Sequence, residues 1–251
     1  PRNRALSDEG LRLFNVAHVP RHRLKDMLHS MFWSGYDERL RDILHHCRGA
    51  SRALLKLLNE ELSDHVARRV EEMCNNAVHN AVYLMLSEKN KHRVQKNYKF
   101  YTDVMRRAHE DGDHQTTMLY YLALSNKAMA RLQLKLPKRM RGIFEHLREE
   151  YDTESHMRAF LCHGFNDKFL PSIFSIQAYL KQENNQEMRK DIFDYLSIYG
   201  YMYYFINHEL IPLYQQVAFK ELMEASYKIV PRKKEEEPTF EFENPIFGKR
   251  F

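Results

Sequence analysis

A long apolar stripe with helical spacing is the feature that most constrains the fold of this chain. Between positions 66 and 85, apolar side chains recur every three or four residues, at Val66, Val70, Met73, Ala77, Ala81 and Met85. This spacing places them on one face of a helix of about five or six turns. Gly and Pro number only 8 each among 251 residues, so long helices are expected elsewhere too. The sequence therefore predicts an all-α fold.

Breaks in the helical pattern divide the chain into three predicted parts. Residues 1–50 are a basic N-terminal segment with short helices, and residues 51–229 are one large helical domain. Apolar stripes before and after Pro212 predict that this domain contains an antiparallel helical hairpin at about 186–228. From Val230 the chain is rich in Pro, charged residues and scattered Phe, so 230–251 are predicted to be an extended or disordered tail. Because the chain begins at Pro1 rather than Met, we expect a piece of a longer protein.

Charge and hydropathy limit the kinds of partner. The 39 Lys and Arg exceed the 34 Asp and Glu by a net +5, and both signs are interspersed. This balance predicts a mixed polar surface and leaves contact with an acidic partner or an anionic membrane surface open. No run of 18 apolar residues is present, so no transmembrane helix is expected. The basic cluster at positions 135–141 has no interleaved aromatic residues, so nucleic acid is not a predicted partner.

Motifs of common enzyme classes are missing from the sequence. It has no P-loop, GxGxxG or GxSxG, which removes the main signals for nucleotide hydrolysis, hydride transfer and serine hydrolysis. The three cysteines have no CxxC spacing, which favours a reducing compartment such as the cytoplasm. We therefore expect no disulfide framework and no cofactor.

Fourteen histidines raise the question of a metal site. His109 and His114 lie, with Asp113, on either side of a predicted helix break. Neither an HExxH motif nor a Glu-x-x-His pair on one helix is present. The histidines are therefore interpreted as solvated or capping residues, and no metal is predicted.

The stretch Asn97–Tyr151 carries a series of breaks in a recognisable order. The series is a break at Asp111-Gly112-Asp113, a small-polar step at Ser125-Asn126, an Arg131-Leu132 pair, and Pro137 before a further helix. This order resembles the catalytic domain of Ras-family guanine nucleotide exchange factors, the RasGEF domain. In the resemblance, Asp113-His114-Gln115 takes the place of the family's Asn-Phe-Asn break. The segment Leu170–Leu180 is similar to the family's Pro-x-x-Gly-x-Tyr-Leu segment, without its Gly.

The resemblance implies a RasGEF-like helical fold that binds a Ras-superfamily small GTPase and promotes GDP release without covalent chemistry. In the family, a core surface binds switch II, and a protruding helical hairpin displaces switch I and disturbs the magnesium and phosphate site; the hairpin predicted at about 186–228 falls where the family places it. The resemblance places switch II contacts at Met105, Arg106, Ser125, Asn126 and Tyr179. It places the hairpin residues that act on the nucleotide site at Asp194 and Leu196, with Asp191 as a further acidic candidate.

Two other functions are left open by the sequence. One is a helical protein-interaction scaffold of the same fold without exchange activity, for which the dense tyrosines at 195–204 would supply contact area. The other is a metal-dependent helical hydrolase. The segment Glu235–Glu237 reads either as a solvated linker or as the export signal of a divergent bacterial effector, which would act in the host-cell cytoplasm.

Overall fold

The computed structural model describes residues 36–60, 64–88, 90–136, 138–151, 168–182 and 217–231, together with positions 156, 157, 159, 162, 190, 192 and 194. In these residues, helices account for most of the chain and no strand is present apart from one isolated bridge. The all-α prediction is confirmed for this part. None of the described helices is long and apolar enough to cross a membrane.

Eight helices make up the described architecture. They are α1 (Tyr36–Glu60), α2 (Asp64–Leu86), α3 (Lys91–Glu110), α4 (His114–Leu124), α5 (Lys127–Ala130), α6 (Lys138–Glu150), α7 (Ile173–Gln182) and α8 (Phe219–Ile229). Helix α1 runs without interruption across position 50, where the sequence pattern suggested the start of the domain. Most of the predicted hairpin, the tyrosines at 195–204 and the tail beyond Pro231 lie outside the described residues.

Helix α2 is the centre of the packing. It contacts α1, α4, α7 and α8, while α3 packs mainly against α4. The predicted stripe on α2 is buried from Val70 to Met85, and Val70 and Met85 have no exposed surface. Burying one such side chain contributes about 1.5–3 kcal/mol. The helical period therefore fixes which face of α2 turns inward, and the other helices cover that face.

Side-chain caps set the starts of three helices. Asn90 accepts a hydrogen bond from the Arg93 amide at 3.0 Å and begins α3. Asp113 and Asn126 begin α4 and α5 in the same way. Because the first amides of a helix lack partners within it, such caps fix where each helix can begin. The interruption predicted near Ser125-Asn126 is confirmed, since α4 ends at Leu124 and α5 begins at Lys127.

Candidate functional site

The break between α3 and α4 is a tight turn held by backbone hydrogen bonds. The Asp113 amide donates to the Ala108 carbonyl at 2.8 Å, and Gly112 has a φ of 72°. This left-handed conformation is favourable for glycine because it lacks a Cβ atom. The turn redirects the chain so that the rings of His109 at the end of α3 and His114 at the start of α4 lie 5.7 Å apart.

A distant segment is bound to this turn. The His114 amide donates to the Leu170 carbonyl at 2.9 Å, and the Leu170 amide donates to the Gly112 carbonyl at 2.8 Å. The Ile173 amide at the start of α7 donates to Gln115 Oε1 at 2.7 Å. The two segments that resemble family motifs, 113–115 and 170–180, therefore lie against each other. We call this arrangement the 112–170 junction.

A buried carboxyl group lies at the centre of the junction. Asp113 is 3% exposed and accepts hydrogen bonds from the Thr116 amide, the Thr116 hydroxyl and the Ser51 hydroxyl, at 3.0, 2.7 and 3.0 Å. Burial raises the pKa of Asp113 above its usual value, although these hydrogen bonds act in the opposite direction. The carboxyl group thus joins α1 to the first turn of α4. Its surroundings give it a structural role.

The predicted switch II contacts fall into two groups. Arg106, Ser125 and Tyr179 are half-buried and so present part of their side chains at the surface. Arg106 forms ion pairs with Asp103 and Glu110 on its own helix. A partner carboxylate would therefore have to compete with two acidic neighbours for this guanidinium.

Met105 and Asn126 belong to the interior. Met105 has no exposed surface, and Asn126 is 4% exposed and caps α5 through the Ala128 amide at 2.9 Å. In the sequence, Tyr98, Tyr101, Met105 and Ala108 recur every three or four residues as an apolar stripe, which predicts that this face of α3 is buried. Its burial confirms that stripe, and both side chains support the surface from beneath in this conformation.

The hairpin candidates are only partly within the described residues. Asp194 is helical and exposed, whereas Ile192 beside it is buried. This alternation places Asp194 on the outer side of its helix, as the prediction of a partner contact requires. Asp191 and Leu196 lie outside the described residues.

A histidine and carboxylate cluster flanks the junction. His109 Nε2 donates to Glu150 Oε2 at 2.7 Å, and His114 Nδ1 lies 4.0 Å from Glu150 Oε1. The hydrogen bond that His109 donates to Glu150 raises the pKa of His109. Burial by itself would raise the pKa of Glu150, but the hydrogen bond and the three nearby histidines outweigh it and lower that pKa. We call His109, His114 and Glu150 the histidine cluster.

Aromatic residues form the inner wall of the histidine cluster. The Tyr151 hydroxyl lies 2.6 Å from His114 Nδ1, and burial raises the pKa of Tyr151 so that it keeps its proton. The Phe169 and His156 rings lie 4.3 and 5.3 Å from the His114 ring. Burial lowers the pKa of His156 to about 4, and its Nε2 accepts from the Ser172 amide at 3.1 Å. His156 is therefore neutral near pH 7 and adds no charge to this wall.

The sequence pattern singles out His109 and His114 but gives no sign of Glu150. Residues three or four apart on one helix can be recognised from spacing, but Glu150 approaches from the end of α6. The solvated or capping interpretation of the two histidines differs from the structure, because His114 is 6% exposed and both rings pair with Glu150. Two imidazoles and a carboxylate are common metal ligands, so these residues could hold a metal ion.

Comparisons with protein-family models, with curated proteins and with solved structures find no match for this chain.

Proposed function

We propose that this chain binds a Ras-superfamily small GTPase and promotes release of its GDP, in the cytoplasm of its own cell or of a host cell. The observation that carries the proposal is the 112–170 junction. Segments 113–115 and 170–180 resemble two separate motifs of the exchange-factor family, and the sequence places α4, α5 and α6 between them. Direct backbone hydrogen bonds nevertheless join them. A motif order that arose by chance would give no reason for this contact.

The proposed switch II surface comprises the half-buried side chains of Arg106, Ser125 and Tyr179. Met105 and Asn126 hold α3 and α5 in place beneath it. Arg106 would pair with an acidic switch residue, and the exchange of one carboxylate partner for another limits the net gain. Specificity is therefore expected from shape and apolar contact around Tyr179 more than from this ion pair.

The proposed mechanism needs no covalent step. GDP leaves faster if the chain binds the nucleotide-free GTPase more tightly than the loaded form. By thermodynamic reciprocity, GDP weakens binding of this chain by the same factor. Exposed Asp194 and the predicted hairpin residue Leu196 would lie at the magnesium and phosphate site of the GTPase. The Asp194 carboxylate would compete with the bound phosphate for the cation and so weaken GDP binding.

Release of fluorescent GDP from a panel of small GTPases tests the proposal. We expect one GTPase to release GDP faster with the chain at micromolar concentration, and Asp194→Ala to reduce this rate by roughly tenfold or more, a loss of about 1.4 kcal/mol in transition-state stabilisation. Glu224→Ala is the matched control, because Glu224 is also an exposed helical acid. If no GTPase responds, or if both variants act like the parent chain, the proposed mechanism is wrong.

A scaffold that binds a GTPase or another protein without exchange is the second candidate. The observation that favours it is the burial of Met105 and Asn126, two residues that the resemblance assigned to GTPase contact. Size-exclusion chromatography of the same mixtures separates the two functions. A stable complex whose GDP release stays at the intrinsic rate would indicate the scaffold.

A further inference from the structure

We propose that His109, His114 and Glu150 form a binding site for one divalent transition-metal ion, with Zn²⁺ as the ion that the ligands suit best. One ligand atom from each residue lies within 4.8 Å of the others. The three side chains come from the last turn of α3, the first residue of α4 and the end of α6. The site is independent of GTPase binding.

The ligand types and spacing fit Zn²⁺. Imidazole nitrogen and carboxylate oxygen bind Zn²⁺ at about 2.0–2.2 Å, so neighbouring ligand atoms of a tetrahedral site lie roughly 3.4 Å apart. The distance from His109 Nε2 to Glu150 Oε2 is 2.7 Å, and that from His114 Nδ1 to Glu150 Oε1 is 4.0 Å. These values lie on either side of the required spacing. Small adjustments of the three side chains would therefore bring their ligand atoms to the spacing of a tetrahedral site.

The backbone around the site is already fixed. His114 is held by the bridge to Leu170 on one side and by the cap of Asp113 on the other. Its ring packs against Phe169, which keeps the imidazole oriented toward Glu150. A metal ion would therefore find the His114 ligand in place, and less ordering would have to accompany binding.

The cluster is open on one side. His109 and Glu150 are 27% and 28% exposed, whereas the His114 side chain is 8% exposed against its aromatic wall. An ion can thus enter from solvent and meet the three ligands together. The fourth position falls on the open side, where His146 Nε2 lies 3.6 Å from Glu150 Oε2 and water has access.

Metal binding would exchange partners within the cluster. Zn²⁺ would take the place of the His109 proton in the bond to Glu150, so that binding releases protons. It would also replace the Tyr151 hydroxyl as the partner of His114 Nδ1. The Tyr151 hydroxyl keeps a partner, because it also lies at the Thr117 side chain.

Calorimetric titration of the whole chain with Zn²⁺, after removal of bound metal with a chelator, tests the site. We expect each chain to bind one Zn²⁺ ion tightly and its melting temperature to rise as a result. When Co²⁺ replaces Zn²⁺, we expect the visible absorption of tetrahedral Co²⁺. His109→Asn and Glu150→Gln should each lower the affinity of this site for Zn²⁺ by roughly tenfold or more, since each removes one ligand. His92→Asn is the control, because His92 is an exposed histidine on the same helix.

Circular dichroism verifies that each variant is folded before it is compared. Zn²⁺ affinity that is unchanged in folded His109→Asn and folded Glu150→Gln would overturn the proposal. Loss of tight Zn²⁺ binding in His92→Asn would overturn the proposal as well, because adventitious surface histidines would then account for binding. GDP release is measured separately, so failure of either proposal leaves the other standing.

Discussion

Arg131 and Ser226 are hydrogen-bonded to each other, with 3.0 Å between Arg131 Nη1 and Ser226 Oγ. Arg131 directly follows the short helix α5, and Ser226 lies on α8 near the far end of the described chain. The Ser226 hydroxyl also donates to the Ala128 carbonyl at 2.7 Å, and the guanidinium group covers the Tyr227 ring at 4.2 Å. Together these contacts fasten α8 to the turn around Arg131.

Replacement of Ser226 by Ala should destabilise the chain by about 1–3 kcal/mol, because a buried hydroxyl that joins two partners is lost and the Ala128 carbonyl is left unsatisfied. The measurement is urea unfolding. Lys220→Ala on the same helix is the control, since its exposed ion pair with Glu224 is worth little. Equal effects of the two substitutions would show that the Ser226 contacts carry no net stability.

Replacement of Gly112 and of Gly142 by Ala should change the free energy of unfolding in opposite directions. Gly112 has a φ of 72°, and a Cβ atom there would lie 2.0 Å from the Lys168 carbonyl oxygen, so Gly112→Ala should cost about 1–3 kcal/mol or more. Gly142 lies inside α6, and a methyl group added there would meet nothing within 4 Å, so Gly142→Ala should stabilise the helix by about 0.5–1 kcal/mol. Thermal unfolding of both variants is the comparison. Melting temperatures that change in the same direction and by the same amount in both variants would contradict the assigned backbone geometry.

The Asp113 carboxyl group should stabilise the start of α4. Asp113→Ala removes the cap of α4 together with the bond from Ser51, and we expect a loss of about 1–3 kcal/mol in the free energy of unfolding. Asp113→Asn should cost less, because its amide oxygen can still cap the Thr116 amide while its NH₂ group donates to a hydroxyl. Chemical denaturation measures the free energy of unfolding of the two variants and of the parent chain. An Asn variant as unstable as the Ala variant would count against the hydrogen-bond assignment.

His79 should make stability depend on pH. Burial lowers the pKa of His79, against a hydrogen bond from its Nδ1 to the Val217 carbonyl at 2.8 Å. Folding therefore favours the neutral ring. The associated stability is fully present above the unfolded pKa of about 6.5 and is lost as pH falls toward the lower folded pKa.

Unfolding free energies at about pH 7.5 and pH 5 should therefore differ less for His79→Asn than for the parent chain, because the Asn amide keeps the donor and does not titrate. His92→Asn, at an exposed position of α3, is the control for the loss of any histidine. If the pH dependence of His79→Asn equals that of the parent chain, His79 does not contribute to it.

Periodicity and turn chemistry were sufficient for much of the helical core. The stripe from Val70 to Met85 is buried as predicted, and the interruption at Ser125-Asn126 follows from a capping residue that the sequence displays. Both signals are local, because they depend on residues that are neighbours along one helix. Asn126 shows what such local signals cannot decide. A small polar residue at a helix start can serve equally well as a cap or as a contact to a partner, and the sequence does not distinguish the two roles.

Contacts between helices could not be derived in this way. The approach of Glu150 to His109 depends on how α6 lies relative to α3, and no spacing within either helix encodes that position. Met105 illustrates a related conflict. Its place in the stripe of α3 predicts burial, which is confirmed, while the family resemblance assigns it to a partner contact that stays a prediction.

The 112–170 junction also has a consequence for the order in which the chain folds. Helices α3 and α4 are adjacent in sequence, so their pairing closes only a short loop. The bridge to Leu170 must instead enclose α4, α5 and α6, and the entropy of closing so long a loop disfavours its early formation. Contacts that form after the rate-limiting step affect unfolding more than folding. Weakening this bridge should therefore shorten the lifetime of the native state while leaving the refolding rate nearly unchanged.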